Sequence, residues 1–271
     1  MVKTEDWVKY FPFKAPRAEQ ERAINFALNA YLEGKRHVVL SCGTGVGKSA
    51  IGVTIARWLE ENLPEEEGSK FGAGAYFLTT QKILQEQYIR DFSRTMRQVM
   101  SSANYGCKFQ RGQSCAEGQR MLKVVEDKNS PFYKSCSFHC IYKEEKRKFL
   151  EAKESVTNFS YFMAETNYSG KLEPRGLLVI DEAHNADLEL SKFVEIIVSE
   201  KFSTQVLKLD FPNVKTQKQA YTWIEEVYEP KLKSHVKHQE KMVADLGLGD
   251  RIKNDFIQIS RQYEMLDKHL C

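Results

Sequence analysis

A glycine-punctuated loop between an apolar run and an amphipathic segment constrains this 271-residue chain more than any other feature. The apolar run is Val38–Leu40, the loop is Gly43–Gly47, and Lys48 with Ser49 begins a stretch of helical spacing. A strand, a glycine-rich turn and a helix in this order form a phosphate-binding loop. We therefore predict a buried strand at Val38–Leu40 and a nucleotide phosphate site around the loop.

The residue types of the loop suit an anion, because glycines let backbone N–H groups curl around it and the new helix adds its unpaired N–H groups. We expect Lys48 to reach the β- and γ-phosphates and the Ser49 hydroxyl to bind Mg²⁺. Cys42 stands where the strict motif has its first glycine, and it is small enough not to obstruct the turn. A glycine-rich turn that binds nothing is the alternative. The predicted nucleotide contacts in the loop are Gly43, Thr44, Gly45, Val46, Gly47, Lys48 and Ser49.

Two acids, Asp181 and Glu182, follow a second apolar run at Gly176–Ile180. In parallel α/β sheets ligands bind at the carboxyl ends of the strands, so these acids are expected near the phosphate loop. We predict Asp181 beside Ser49 across a Mg²⁺ ion, with Glu182 orienting or deprotonating the attacking water. A solvated surface pair is the alternative interpretation.

Apolar runs alternate with segments of helical spacing over much of the chain, which indicates an α/β fold with a parallel sheet covered on both faces. Besides the runs above, the pattern predicts a strand at Ala75–Leu78. The predicted helices are Arg17–Glu33, Gln81–Met100 and Lys143–Lys153. An acidic, glycine-rich turn is expected at Pro64–Gly74, and the chain after about Leu190 has a mostly helical pattern.

The net charge of +3 is small, but residues 101–150 hold ten Lys and Arg against five acids. This basic excess is weak evidence for a polyanionic partner and fits a solvated face equally well. The chain has no apolar run of about 18 residues and no signal-peptide core at its start. We therefore expect a cytoplasmic, intracellular protein without a membrane partner, in which the six cysteines are ligands or inert thiols.

GTGVGKS followed by DEAH resembles the superfamily-2 helicases, and further motifs resemble their DinG/XPD type. These motifs are Arg17 and Gln20 in PRAEQ, Thr79-Thr80 with Leu84-Gln85-x-Gln87, NYGC at Asn104–Cys107, TNFSYF from Thr157, and DEAHN at Asp181–Asn185. They cover roughly residues 15–190 in the order that the family has. The resemblance implies ATP as the nucleotide, read at its adenine by Arg17 and Gln20.

The same resemblance implies contact with the DNA backbone through motif Ia, for which we predict Thr80, Gln81, Lys82 and Gln85. An exposed lysine at a helix start is the alternative for Lys82. His184 is expected to link the nucleotide site to the DNA path, and a satisfied polar histidine is the alternative there. The family's movement is 5′ to 3′ on single-stranded DNA.

Four cysteines lie in a stretch of little periodicity, here called the cysteine segment (residues 101–142). Cys107, Cys115, Cys136 and Cys140 lack the paired spacing of a zinc ribbon. By resemblance they imply a [4Fe–4S] cluster. Zinc, with His139 as a possible ligand, and free buried thiols are the alternatives. Because the segment has few apolar residues, a metal centre would supply its cross-links.

These inferences divide the chain into residues 1–100 and 143–190 of a RecA-like P-loop domain, the iron–sulfur insert at 101–142, and a helical, arch-like extension at 191–271. We predict the N-terminal part of an ATP-dependent DNA helicase that needs a second RecA-like domain and is poorly active alone. A nucleotide- and DNA-binding regulatory module without motor activity is one alternative. A P-loop kinase of a small molecule is the other, and it leaves motif Ia and the cysteines unexplained.

Overall fold

A computed structural model describes residues 3–62, 72–109, 111–123, 125–169, 172–195 and 197–246, with the single positions 259, 263 and 266. The chain divides into two compact units, Met1–Phe193 and Val194–Cys271. Most of the turn predicted at Pro64–Gly74, residues 64–71, lies outside the described residues. No helix in the described part is both long and apolar enough to cross a bilayer.

The first unit combines parallel strands with helices that connect them. Its strands are β1 (Gly72–Thr79), β2 (Met96–Gln98), β3 (Glu154–Asn158) and β4 (Arg175–Ile180). Its helices are α1 (Thr4–Trp7), α2 (Ala18–Leu32), α3 (Lys48–Asn62), α4 (Lys82–Phe92), α5 (Cys115–Lys123), α6 (Pro131–Phe138), α7 (Ile141–Glu151), α8 (Phe159–Ala164) and α9 (Ala186–Val194).

The sheet has the order β2-β3-β1-β4, and every pairing in it is parallel. Phe77 of the central strand β1 pairs with Val156 of β3 on one side and with Val179 of β4 on the other. Parallel neighbours need crossover connections, which the helices between the strands provide. The predicted α/β fold with a parallel sheet is confirmed, and it is consistent with a RecA-like domain.

Successive residues of β1 pack on opposite faces of the sheet, as the alternation of a strand requires. Phe77 lies in an apolar cluster with residues of α3 and α4, including Val53 and Tyr88. Tyr76 lies in a different cluster with Phe149 of α7 and with Cys115 of the cysteine segment. The nucleotide-loop helix and the cysteines therefore belong to opposite faces of one sheet.

The strand predicted at Val38–Leu40 is wrong, because this stretch has no regular secondary structure. Val38 and Leu40 pack partly against the cluster formed by α2 and α3. Val39 between them is 86% exposed. A strand buried in a parallel sheet has both of its faces covered. The described residues cover only one face of this stretch, so it does not have the environment of such a strand.

Two further predictions differ from the structure at the sheet edge. The helix predicted at Gln81–Met100 ends at Phe92, and strand β2 follows it. Strand β3 was missed because its sequence, ESVTN, is polar, although four of its five residues are buried. Its side chains have internal partners, since Arg57 pairs with Glu154 and the Thr157 hydroxyl donates to the Val99 carbonyl.

The second unit is helical where it is described. Its helices are α10 (Glu200–Gln205), α11 (Gln217–Trp223) and α12 (Glu229–Leu246). Its apolar cluster contains Leu207, Tyr228, Leu232, Val236 and Leu266.

Candidate functional site

The phosphate loop has the backbone that its glycines allow. Gly45 and Gly47 have φ angles of +80° and +85°, in the left-handed region that favours glycine. A Cβ atom on Gly47 would also come within 2.6 Å of Gln20 Nε2. Helix α3 begins at Lys48, directly after the loop, so its first N–H groups point toward the space that an anion would occupy. The local geometry predicted for Gly43–Ser49 is therefore present.

Two side chains at the start of α2 hold the loop in place. Arg17 Nη1 donates to the Gly45 carbonyl at 2.9 Å, and Gln20 Nε2 donates to the Val46 carbonyl at 2.8 Å. Gln20 Oε1 accepts from the Arg17 backbone N–H at 2.9 Å, and Gln20 is 5% exposed. Both residues thus hold the loop through its backbone carbonyls. Their role in reading the adenine stays a prediction.

The structure accommodates Cys42 in the place of the first glycine of the strict motif. Cys42 is half-buried and packs against the cluster of α2 and α3. Gly43 and Thr44 are exposed, and no atom lies within 4 Å of the point where a Cβ on Gly43 would stand. A cysteine before Gly43 therefore leaves the loop open to a ligand.

The acids at the end of β4 meet the loop, as predicted for the carboxyl edge of a parallel sheet. The Asp181 N–H donates to the Leu78 carbonyl at 2.9 Å, which extends the pairing of β4 with β1. Lys48 Nζ lies 3.0 Å from Glu182 Oε1, and His184 Nδ1 lies 3.3 Å from Glu182 Oε2. The structure thus brings Lys48, Asp181, Glu182 and His184 into one group.

The electrostatics of this group follow from the contacts. The hydrogen bond that Lys48 donates to Glu182 raises the pKa of Lys48, so the ammonium stays charged. Burial and the charge of Glu182 raise the pKa of Asp181. Glu182 itself has φ 53° and ψ 45°, a left-handed conformation that a residue with a side chain rarely adopts. Backbone strain of this kind, of order 1–3 kcal/mol, clusters at functional sites.

Sequence reasoning missed Tyr88, which belongs to this group. Tyr88 is 2% exposed, its phenol lies 3.4 Å from Asp181 Oδ2, and the Ser49 side chain is close to the phenol. Burial raises the pKa of Tyr88, so the phenol keeps its proton and can donate. Helical spacing predicts that position 88 is buried in the core. The hydroxyl of a tyrosine is the only indication in the local sequence that this residue also has a polar partner.

The oxygen atoms of this group suit a magnesium ion. Mg²⁺ prefers hard oxygen ligands and is usually held by one or two carboxylates together with substrate phosphates. Ser49 supplies a hydroxyl and Asp181 a carboxylate, and the Tyr88 phenol faces that carboxylate with Ser49 nearby. The donor set of the described residues therefore fits the predicted metal.

The residues predicted to contact DNA do not share one environment. Gln81 and Lys82 are exposed and Thr80 is half-buried. Lys82 Nζ donates to Asn104 Oδ1 at 2.5 Å. Gln85 is fully buried and donates to the Val99 and Val156 carbonyls, so it supports the sheet and is not available at the surface. The prediction of a DNA contact for Gln85 is corrected by this burial.

A groove of about 410 Å³ adjoins the exposed members of motif Ia. Its lining comes from the ends of β1 and β3, from the start of the cysteine segment, from helix α8 and from Glu189 of α9, and more of its surface is apolar than polar. It includes Thr80, Lys82, Ser101, Asn104, Asn158 and Ser160.

The four cysteines of the cysteine segment are neighbours. Cys115 Sγ and Cys140 Sγ lie 3.5 Å apart. A Cβ on Gly118 would lie 3.2 Å from Cys107 Sγ and 3.8 Å from Cys136 Sγ, so helix α5 passes close to both thiols at this glycine. Burial raises the pKa of Cys115 to about 11 and also raises that of Cys136. No three or more His, Cys, Asp or Glu side chains in the described ranges are arranged to hold a metal ion.

Comparison with known proteins places these features in a family. A family model described as Type III restriction enzyme, res subunit, matches residues 13–211, which is more than half of the chain. The matched range contains the phosphate loop, the acids after β4 and the cysteine segment. No curated protein matches the chain significantly.

Proposed function

The chain belongs to the family of the type III restriction enzyme res subunit, whose domain is the N-terminal RecA-like domain of superfamily-2 helicases, and on this premise we propose an ATP-dependent DNA helicase of the DinG/XPD type. Family membership supports an ATP-hydrolysing, helicase-like role in general. The DinG/XPD type, the 5′-to-3′ movement on single-stranded DNA and the need for a second RecA-like domain are our proposals.

The observation that carries the proposal is the meeting of the phosphate loop with the acids after β4. Lys48 and Glu182 form an ion pair 3.0 Å long, with each side chain about one third exposed. A charged lysine on a glycine-rich loop, a carboxylate beside a hydroxyl and a second acid are the parts that phosphoryl transfer to water requires.

Each residue then has a distinct task. Lys48 leaves Glu182 and pairs with the β- and γ-phosphates, which frees the Glu182 carboxylate. Glu182 orients the attacking water and accepts its proton. Ser49 and Asp181 would hold Mg²⁺, which would neutralise phosphate charge. His184 contacts Glu182, and we propose that it relays the state of the nucleotide site to the DNA path.

For nucleic acid we propose the accessible residues of motif Ia, which are the half-buried Thr80 and the exposed Gln81 and Lys82, beside the groove. A lysine and side-chain hydroxyl and amide groups are the usual partners of backbone phosphates. The basic excess of residues 101–150 favours the same partner through non-specific attraction. DNA affinity that falls steeply with added salt is the expected behaviour.

We also propose that the four cysteines hold a structural metal centre, a [4Fe–4S] cluster by family resemblance with zinc as the alternative. The support is the chemistry of the residues, since all four cysteines are free thiols and three of them are buried. Anaerobic purification with an absorption spectrum and iron and zinc analysis separates the two metals.

ATP turnover by the purified chain tests the proposed function. We expect slow hydrolysis that single-stranded DNA stimulates weakly, because we propose that full activity needs a second RecA-like domain besides this one. Glu182→Gln should abolish turnover and keep nucleotide binding. Glu33→Gln, at an exposed position at the end of α2, should leave both turnover and nucleotide binding unchanged. Turnover that survives Glu182→Gln would exclude this site as the source. Turnover at the rates of complete helicases would contradict the need for a second domain.

A further inference from the structure

The carboxylate of Asp181 is held at both of its oxygens. Oδ1 accepts from the Glu182 backbone N–H at 3.0 Å, and Oδ2 faces the Tyr88 phenol at 3.4 Å. The first contact lies within the chain segment that carries the carboxylate. The second comes from helix α4, so among the described residues it is Tyr88 whose hydrogen bond ties the orientation of this side chain to a separate element.

The Tyr88 ring has little freedom to move away. Its centroid lies 5.6 Å from that of Phe77 on β1 and 5.9 Å from that of Phe92 on α4. With 2% of the residue exposed, the ring is fixed by packing and only its hydroxyl reaches the site. A side chain that packing already fixes can orient a ligand without a further loss of its own conformational entropy.

The Tyr88 hydroxyl also stands next to the other oxygen ligand that we assign to Mg²⁺. The Ser49 side chain at the start of α3 lies close enough to influence the phenol, which itself faces the carboxylate after β4. At 3.4 Å the contact to Asp181 is long for an O–H···O hydrogen bond. Such contacts tighten when the substrate complex forms.

We propose that Tyr88 is a positioning residue of the metal site, which orients the Asp181 carboxylate for a divalent cation bound with the nucleotide. The inference rests on the proposed function, since it assumes that Asp181 and Ser49 hold the cation. Groups that hydrogen-bond to metal ligands fix the direction of the ligand's lone pairs and raise metal affinity. Tyr88 makes no contact with the cation itself.

The test is the affinity of Mn²⁺ for the complex of the whole chain with a non-hydrolysable ATP analogue, measured by electron paramagnetic resonance. Tyr88→Phe removes the hydroxyl and keeps the packed ring. We expect it to weaken Mn²⁺ binding about tenfold. Affinity for the analogue measured in a chelator should stay within about twofold of the wild type, because the phosphate loop is unchanged.

Tyr10→Phe is the matched control. Tyr10 is also buried, and its phenol donates to the Glu61 carboxylate at 2.8 Å. Glu61 lies near the far end of α3, about 20 Å from Lys48 along the helix. Loss of this phenol should lower thermal stability and leave Mn²⁺ affinity unchanged.

Each other outcome overturns the inference in a recognisable way. If Tyr88→Phe binds Mn²⁺ as the wild type does, the positioning role is wrong and the proposed function stands. If Tyr88→Phe weakens metal-free nucleotide binding as much as Mn²⁺ binding, or if Tyr10→Phe shows the same loss, the role of Tyr88 is structural. If the wild type binds neither analogue nor Mn²⁺, the proposed function fails and this inference fails with it.

Discussion

Side chains of this protein hold the phosphate loop through hydrogen bonds and an ion pair. The thiols of the cysteine segment, on the opposite face of the sheet, lie close to one another instead. Arg17 and Gln20 donate to loop carbonyls, and Lys48 pairs with Glu182. Cys115 and Cys140 meet at 3.5 Å. The loop is therefore held by contacts within the chain, whereas for the cysteine segment we propose that a metal centre cross-links the thiols.

The largest effect that we expect is the loss of this centre. Cys115→Ser replaces a thiol that is 2% exposed, so the bound metal should be lost and the free energy of unfolding should fall by about 4 kcal/mol. Metal analysis and urea denaturation measure the two results. Cys42→Ser, outside the proposed ligand set, should keep the metal. Full metal content in Cys115→Ser would break the contrast between the two regions.

A smaller effect is expected from the self-supported loop. Gly47→Ala puts a Cβ at φ +85° and within 2.6 Å of Gln20 Nε2, so we expect it to lower the free energy of unfolding by about 2 kcal/mol. Gly43→Ala meets no atom within 4 Å and serves as the control for stability. Urea denaturation of both variants measures the difference. Equal stability would show that Gln20 does not fix the loop.

The smallest effect concerns the start of α5 in the cysteine segment. The Ser114 N–H and hydroxyl donate to Glu117, and these bonds lower the pKa of Glu117 below its ordinary 4.5. The stabilisation is thus present above the unfolded pKa and lost as pH falls through the folded one. Glu117→Gln should destabilise by about 0.5–1 kcal/mol near neutral pH and flatten this acid dependence.

Unfolding curves between about pH 6 and about pH 3 measure that dependence. Glu126→Gln, a change at an exposed position of the same segment, is the control and should behave as the wild type. A steep acid dependence that persists in Glu117→Gln would assign it to other carboxyls and would leave α5 without this local support.

Sequence patterns predicted the parts of the fold that depend on local chemistry. The runs at β1 and β4 are continuous and apolar, and glycines at positive φ mark the loop, so both were predictable. Strand β3 was not, because its burial depends on Arg57, which lies far away in the chain. The stretch around Val39 shows the opposite error, because its apolar sequence predicted a buried strand. Val39 is exposed, since the described residues cover only the other face of this stretch.

The candidate site divides in the same way. Lys48, Asp181 and Glu182 belong to motifs whose residue types state their chemistry, and the structure brings them together. Tyr88 and Gln85 lie on the same amphipathic helix, and their spacing gives both the same prediction of burial. Their hydrogen-bond partners differ, since Tyr88 faces Asp181 of the candidate site and Gln85 donates to a backbone carbonyl near the sheet. Spacing gives the face of a helix and not the hydrogen-bond partner of a side chain.

Equilibrium binding of ATP with Mg²⁺ to the purified chain tests the central claim, that the loop and the acids form a nucleotide site, most directly. We expect saturable binding at one site, and a loss of about a hundredfold in affinity for Lys48→Ala, because a charged contact to the phosphates is removed. Lys35→Ala, at an exposed lysine outside the site, should bind as the wild type does. Equal affinity of Lys48→Ala and Lys35→Ala would contradict the account.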